Sequence, residues 1–161
     1  VIAHPPCQRW CQLARVNEAR YGLKVGDDGG CFAHALDCVR RFGGVLEHPA
    51  LTLAWTRFNL LRPVRGRWSC TLFDSGWVTE VHQRNYGHPA NKATWLYYMG
   101  PEPPALDWSD PAPTSAWISS DRPRSELTAR GIRQLSKREA KATPLPFRDL
   151  LLDMARKSHT R

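Results

Sequence analysis

Three observations predict an α/β fold for this chain. Two short segments rich in β-formers, Val1-Ile2-Ala3 and Val45-Leu46-Glu47-His48, each run into proline, at Pro5-Pro6 and at Pro49. Between them Cys31, Phe32, Ala35, Leu36, Val39 and Phe42 recur at intervals of three and four, the period of one helix face. Strand, helix and strand in that order make a parallel crossover unit, and 161 residues of which 42% are hydrophobic are enough for one sizeable core.

The first segment reads as a buried strand entering a rigid loop, because proline lacks a ladder donor and holds the residue before it extended. A polar stretch follows. Asp27-Asp28-Gly29-Gly30 then precedes the apolar-faced helix, which ends at Gly43-Gly44 and gives way to the second strand. β-forming residues fill 68–83 and 94–99 on either side of Tyr86-Gly87-His88-Pro89, so two further strands joined by a loop are expected. The segment 101–113 is too proline-rich for a helix or inner strand and should be a stiff, exposed connection, continued by a basic loop over 122–130. Ser136-Lys137-Arg138-Glu139 has the form of a capping box, and Phe147, Leu150, Leu151 and Met154 give a closing amphipathic helix. No internal repeat is visible, so 1–161 reads as a single domain with a short variable basic loop at about 101–130.

Lysine and arginine outnumber aspartate and glutamate by 23 to 15, a net charge of +8. Such a balance suits a polyanion, nucleic acid first, since each cation that neutralises a phosphate releases counterions; a merely soluble basic surface is the other explanation. The apolar runs are too short for a membrane span, and the first residues lack the order of a signal peptide, so a soluble, cytoplasmic protein is expected, associated with the nucleoid if it binds DNA. The opening valine, without a lead-in, reads as the start of a fragment. Cys7, Cys11, Cys31, Cys38 and Cys70 are odd in number and form no close pair, so reduced thiols are expected, and the His4, Cys7, Cys11 spacing lacks the second ligand pair of a zinc site.

Ligands of α/β sheets sit at the carboxyl ends of the strands, where both proline-terminated strands carry their most reactive residues, Cys7 and Glu47. Separately each is ordinary: a lone cysteine is usually a small core residue and a loop glutamate a solvated charge. In order, however, Pro5-Pro6-Cys7-Gln8 and Gly44-Val45-Leu46-Glu47-His48-Pro49 resemble the Pro-Cys and Glu-Asn-Val motifs of DNA cytosine-5 methyltransferases. Gly76-Trp77-Val78 is similar to that family's GY-x-V strand. Tyr86-Gly87-His88-Pro89-Ala90-Asn91-Lys92-Ala93-Thr94 is similar to its YG-x-PQ-x-R-x-R segment, and Arg133-Gln134-Leu135-Ser136-Lys137-Arg138-Glu139-Ala140 to its R-x-LT-x-RE-x-A motif.

The resemblance spans almost the whole chain. It implies the catalytic half of a truncated Rossmann-like methyltransferase sheet with flanking helices, S-adenosylmethionine as cofactor and DNA as partner. Cys7 would add to C6 of a cytosine flipped out of the duplex, and Glu47 would hold the N3 and amine edge of that base. Pro6, Gln8, Lys92 and Thr94 would line the substrate site, and Arg9, Arg122, Arg124 and Arg130 would contact phosphates. A thiol of pKa about 8.5 needs nearby positive charge to ionise at neutral pH, for which Arg9, His4 and Lys92 are available.

Several departures qualify what the resemblance implies. The family's F-x-G-x-G cofactor loop has no counterpart in the sequence, so a second chain or an N-terminal segment would have to complete the cofactor site. Lys92 and Thr94 stand where the family has two arginines, His48 stands for its asparagine, and 101–130 is far shorter than a target-recognition domain. Two other functions therefore stay open: a catalytically inactive DNA-binding protein, of the anti-restriction or regulatory kind found in phages and mobile elements, and another pyrimidine-modifying enzyme. His82, His88, Trp55, Trp77 and Trp95 receive no role.

Overall fold

In the computed structural model, which describes residues 1–118 and 124–158, the expected parallel crossover is present. β1 (Ile2–Ala3) runs parallel to β2 (Gly44–Pro49), with Ile2 opposite Val45 and Ala3 opposite Leu46. Between them lie α1 (Ala14–Tyr21) and α2 (Cys31–Phe42). α2 starts where it does because the Asp28 carboxylate accepts the backbone N–H of Gly30 at 3.0 Å and of Phe32 at 2.9 Å, two of the donors every helix start leaves unpaired. The same carboxylate takes the Trp10 indole N–H at 2.8 Å, tying the loop after β1 to the helix. Phe32, Leu36 and Val39 form the buried face, and Gly43 ends the helix at φ 74°.

Past β2 the sheet turns antiparallel. α3 (Leu53–Arg57) leads to β3 (Ser69–Cys70), β4 (Trp77–His82), a single 3-10 turn at Gln83–Tyr86 and β5 (Ala93–Met99). The five strands lie in the order β1-β2-β5-β4-β3, with β5 antiparallel to both neighbours. A second, two-stranded parallel sheet joins β6 (Ala116–Trp117) to β7 (Arg133–Gln134), with α4 (Arg124–Ala129) between them in sequence. α5 (Lys137–Lys141) and α6 (Leu145–Lys157) follow. The fold is thus mixed α/β: a five-stranded mixed sheet flanked by helices.

Side chains alternate across a strand, and here the alternation builds two core layers. Leu46, Val78, Trp95 and Tyr97 meet Phe32, Leu36, Val39 and Trp55 on the α2 and α3 side. Val45, Val81, Leu96 and Tyr98 meet Phe147, Leu151 and Met154 of α6 on the other. Each large apolar side chain so buried contributes about 1.5–3 kcal/mol. The capping box is complete: Ser136 Oγ accepts the Glu139 N–H at 3.2 Å and the Glu139 carboxylate accepts the Ser136 N–H at 2.8 Å. The Arg133 guanidinium, bonded to Glu139 at 2.8 Å, and these Ser136 contacts bring that carboxyl down to about 2.

Four expectations are corrected. The 68–83 stretch is a hairpin rather than one strand, because the Asp74 carboxylate accepts both the Thr71 hydroxyl and the Gly76 N–H and closes a turn between β3 and β4. The polar stretch before α2 and the segment after β2 contain α1 and α3; α1 buries only Ala14, so no apolar period announces it. The 101–113 segment is without helix or strand, as expected, yet it is packed rather than merely exposed. Trp108 donates to Thr79 Oγ1 at 3.0 Å, Trp68 donates to the Pro104 carbonyl at 2.7 Å, and Leu106 packs on the α6 layer. The later part of the expected basic loop is helical, as α4. Among the described residues no helix is long and apolar enough to cross a membrane.

Gly76 marks the point where the hairpin passes the fully buried Tyr97, whose hydroxyl donates to Asp74 at 3.0 Å. A Cβ on residue 76 would lie 2.6 Å from that ring. Gly76→Ala should therefore cost about 1–3 kcal/mol, the range of overpacked cores, and lower the urea midpoint without changing the slope. An unchanged midpoint would show that the ring is free to move.

Candidate functional site

Because β1 and β2 are parallel, the residues at their carboxyl ends emerge on one edge of the sheet. Cys7 stands four residues beyond β1, in a turn whose start is its own carbonyl, which accepts the N–H of Trp10 and of Cys11, each at 3.0 Å. Trp10 anchors the turn: it is buried, with Phe32 at 5.9 Å and Phe58 at 5.8 Å between ring centroids. Glu47 lies within β2, opposite Leu96, and its side chain is only 11% exposed. Its strand parity with Val45 puts it on the α6 side of the sheet, the side shared by Thr94 with Leu96 and Tyr98.

A buried carboxylate needs donors, and among the described residues Glu47 has two. Oε2 accepts from His4 Nδ1 at 2.8 Å and Oε1 from the Gln83 side-chain amide at 3.1 Å. An ionised carboxylate only accepts, so the proton must be on Nδ1 of His4 and the amide must turn its nitrogen to Glu47. The same nitrogen donates to Thr94 Oγ1 at 3.0 Å, and the Thr94 hydroxyl donates to the Lys92 carbonyl at 3.3 Å. Lys92 is half-buried, its ammonium donating to the Ala142 carbonyl at 3.5 Å. Burial pushes the Lys92 pKa down against the pull of Glu47 and Cys7, both close enough to act on it.

The thiol is not activated in this state. Burial pushes the Cys7 pKa up, and Cys11 and Glu47 push the same way; the local backbone bond and Lys141 draw it down by less. Of the expected cations, Lys92 is close enough for Cys7 to pull on it, yet the balance at Cys7 still favours the thiol. The ring nitrogen of His4 that faces the site is spent on Glu47, and the net effect on Cys7 is to hold its proton.

Of the other expected site residues, Pro6 and Gln8 are exposed beside Cys7 and Arg9 is half-buried. Thr94 is completely buried, its hydroxyl shared between the Gln83 amide and the Lys92 carbonyl. Arg124 opens α4, Arg130 is exposed just beyond it, and Arg122 lies outside the described residues. Two participants escape sequence reasoning. Lys141 acts on Cys7 from α5, a neighbour that only tertiary packing creates. Gln83 is fully buried one residue past β4, and the one signal for it is a polar side chain directly after an apolar alternating run.

His48, beside Glu47 in sequence, points to the opposite face. Its ring packs edge-on to Phe32 at 5.2 Å and near-parallel to Trp55 at 6.5 Å, and among the described residues neither nitrogen has a hydrogen-bond partner within normal limits. Burial lowers its pKa to about 4, with Glu47 and the Pro6 carbonyl pulling weakly upward.

Larger hollows lie elsewhere, one between Arg40, Gly43, Asp74 and Gly100, another, apolar, beside Leu60, Leu61, Leu72 and Phe73; Cys7 and Glu47 line neither. Among the described residues no three His, Cys, Asp or Glu side chains are arranged to hold a metal ion. Comparison with family models, with curated proteins and with solved structures finds no match to this chain.

Two measurements check these electrostatics. Alkylation of Cys7 by iodoacetamide, followed peptide by peptide in the mass spectrum, should show a pH midpoint above the about 8.5 of a free thiol, and Glu47→Gln should lower it. A midpoint below that of free cysteine would contradict the burial argument. For His48, the unfolded chain takes up a proton near pH 6.5 and the folded chain only near 4, so the unfolded state binds more protons between those values. Stability should accordingly fall as pH drops from 6.5 to 4, by up to about 3 kcal/mol from this group. His48→Phe should flatten that part of the stability–pH curve.

Proposed function

We propose that the chain carries a cytosine-directed site of the DNA cytosine-5 methyltransferase type. The β1-α2-β2 unit is taken as part of a Rossmann-like methyltransferase sheet. The observation that carries the reading is a cysteine within electrostatic reach of a donor-clamped carboxylate at the carboxyl end of a parallel strand pair, in a chain of net charge +8. Neither residue's local sequence requires the other.

In that site the Cys7 thiol first gives its proton to solvent. Its sulfur then bonds to C6 of the pyrimidine, and the C5=C6 electron pair moves toward N3 and the ring carbonyl. Glu47 accepts from the exocyclic amine, and N3, which gains the electron pair, takes a proton from solvent, holds it in a hydrogen bond to the carboxylate and releases it once C5 has taken its electrophile. C5 becomes nucleophilic, takes an electrophile, loses its original proton and returns the electron pair to expel the thiolate. C6 is out of reach in stacked DNA, so the base must leave the helix, while Arg9 and Arg130 grip flanking phosphates.

S-adenosylmethionine would supply the methyl group to C5, but the described residues do not fit it by themselves. No glycine-rich turn follows a strand on the cofactor side, and the outer edge of β1 has no partner strand among the described residues. The missing walls would come from a second chain or another segment, so these residues alone do not account for methyl transfer.

A second reading has its own support: the raised Cys7 pKa is what a silent remnant would show, and it favours a DNA-binding protein without turnover. Cofactor-free chemistry separates the two. In D2O a cytosine-containing single-stranded oligonucleotide should exchange its C5 hydrogen for deuterium, one mass unit per base, with the intact chain. Cys7→Ser should abolish the exchange while leaving DNA affinity in place. No exchange by the intact chain, with DNA still bound and Cys7 dispensable, would favour the silent binder, and a modified base of other mass would point to different pyrimidine chemistry.

A further inference from the structure

Glu47 has two donors of opposite character. His4 is exposed on a loop, with 43% of its side chain open to solvent, so a ligand can displace it. Gln83 is fully buried and its backbone is fixed on both sides: its N–H donates to the Lys92 carbonyl at 2.9 Å and its carbonyl accepts the His88 N–H at 3.0 Å. The amide cannot flip, because Thr94 spends its proton on Lys92 and Glu47 has none to give; a flipped carbonyl would face two acceptors. The Gln83 side-chain oxygen, Oε1, is buried and has no hydrogen-bond partner among the described residues. An apolar side chain would spare that penalty but would leave Oε1 of Glu47 without its buried donor, so the glutamine is explained by the carboxylate it serves rather than by packing.

We infer that Gln83 is the positioning residue of this site. Clamped by Thr94, it holds Oε1 of Glu47 and thereby turns Oε2 toward the site mouth, where His4 occupies the place that the N–H of a ligand takes. The assignment rests on Glu47 being the carboxylate that holds the ligand. Because Glu47 stays a pure acceptor in this arrangement, the ligand must offer a donor edge, as an aminopyrimidine does.

The test is Gln83→Met, which keeps length and volume but donates nothing. A crystal structure of the variant should show Glu47 turned out of its present rotamer; an unmoved Glu47 overturns the inference whatever the catalysis. In C5-hydrogen exchange kcat should fall about ten- to a hundredfold while oligonucleotide affinity stays within about twofold, as expected for lost alignment. The double variant with Glu47→Gln should be no slower than Glu47→Gln alone, since Gln83 acts only through Glu47; additive losses overturn the assignment. If the intact chain shows no exchange, the proposed function fails and the rotamer of Glu47 alone decides for or against Gln83. Should Gln83→Met not fold, Thr94→Val frees the amide on one side and should give a smaller change in the same direction, with Thr94→Ser restoring it; no change in Thr94→Val overturns the clamp.

Discussion

The carboxylate of Glu47, set within a strand rather than on a loop, constrains everything around it. A charge placed between β1 and β5 and largely shielded from water must be met by donors, and the neighbourhood is organised to provide them. β5 brings Thr94 alongside, the turn after β4 brings Gln83, and the loop after β1 brings His4. Lys92 lies near enough for Glu47 to hold up its charge against burial. The antiparallel return of β5 beside β2 is thus a condition of the site, because it is what carries Thr94 and Lys92 to the carboxyl end of the parallel pair.

The same proximity keeps Cys7 quiet. Burial and the negative charge of Glu47 both favour the thiol, so a cytosine bound across Glu47 would change the balance by engaging that charge. On that reading reactivity would depend on occupancy, since a filled site removes part of what favours the thiol over the thiolate. His48, one residue away, takes no part, because strand alternation sends it into the aromatic layer against α2.

Where local signals coincide, the sequence is legible. Proline stops, the three-and-four period of α2 and the Asp28 cap agree with one another, and the β1-α2-β2 unit forms as expected. The capping box before α5 is likewise a local device and is present as read. α1 is hidden because it buries only Ala14 and so has no apolar face to read, and the β3–β4 hairpin because its turn is closed by Asp74, a residue without the usual Asn-Gly signature. At the site, Cys7 and Glu47 were readable from strand ends. Gln83, Lys141 and the burial of Thr94 were not, since each depends on which strand or helix lies alongside across tens of residues.

The central claim is that Glu47 and Cys7 form one site for an aminopyrimidine edge. It is tested most directly by a crystal structure of the chain with a cytosine-containing single-stranded oligonucleotide. The account predicts an unstacked cytosine with its amine on Oε2 of Glu47, His4 displaced, Gln83 unmoved and the sulfur of Cys7 beside C6. An oligonucleotide bound along the basic surface with His4 still on Glu47 and no base between Glu47 and Cys7 would contradict it.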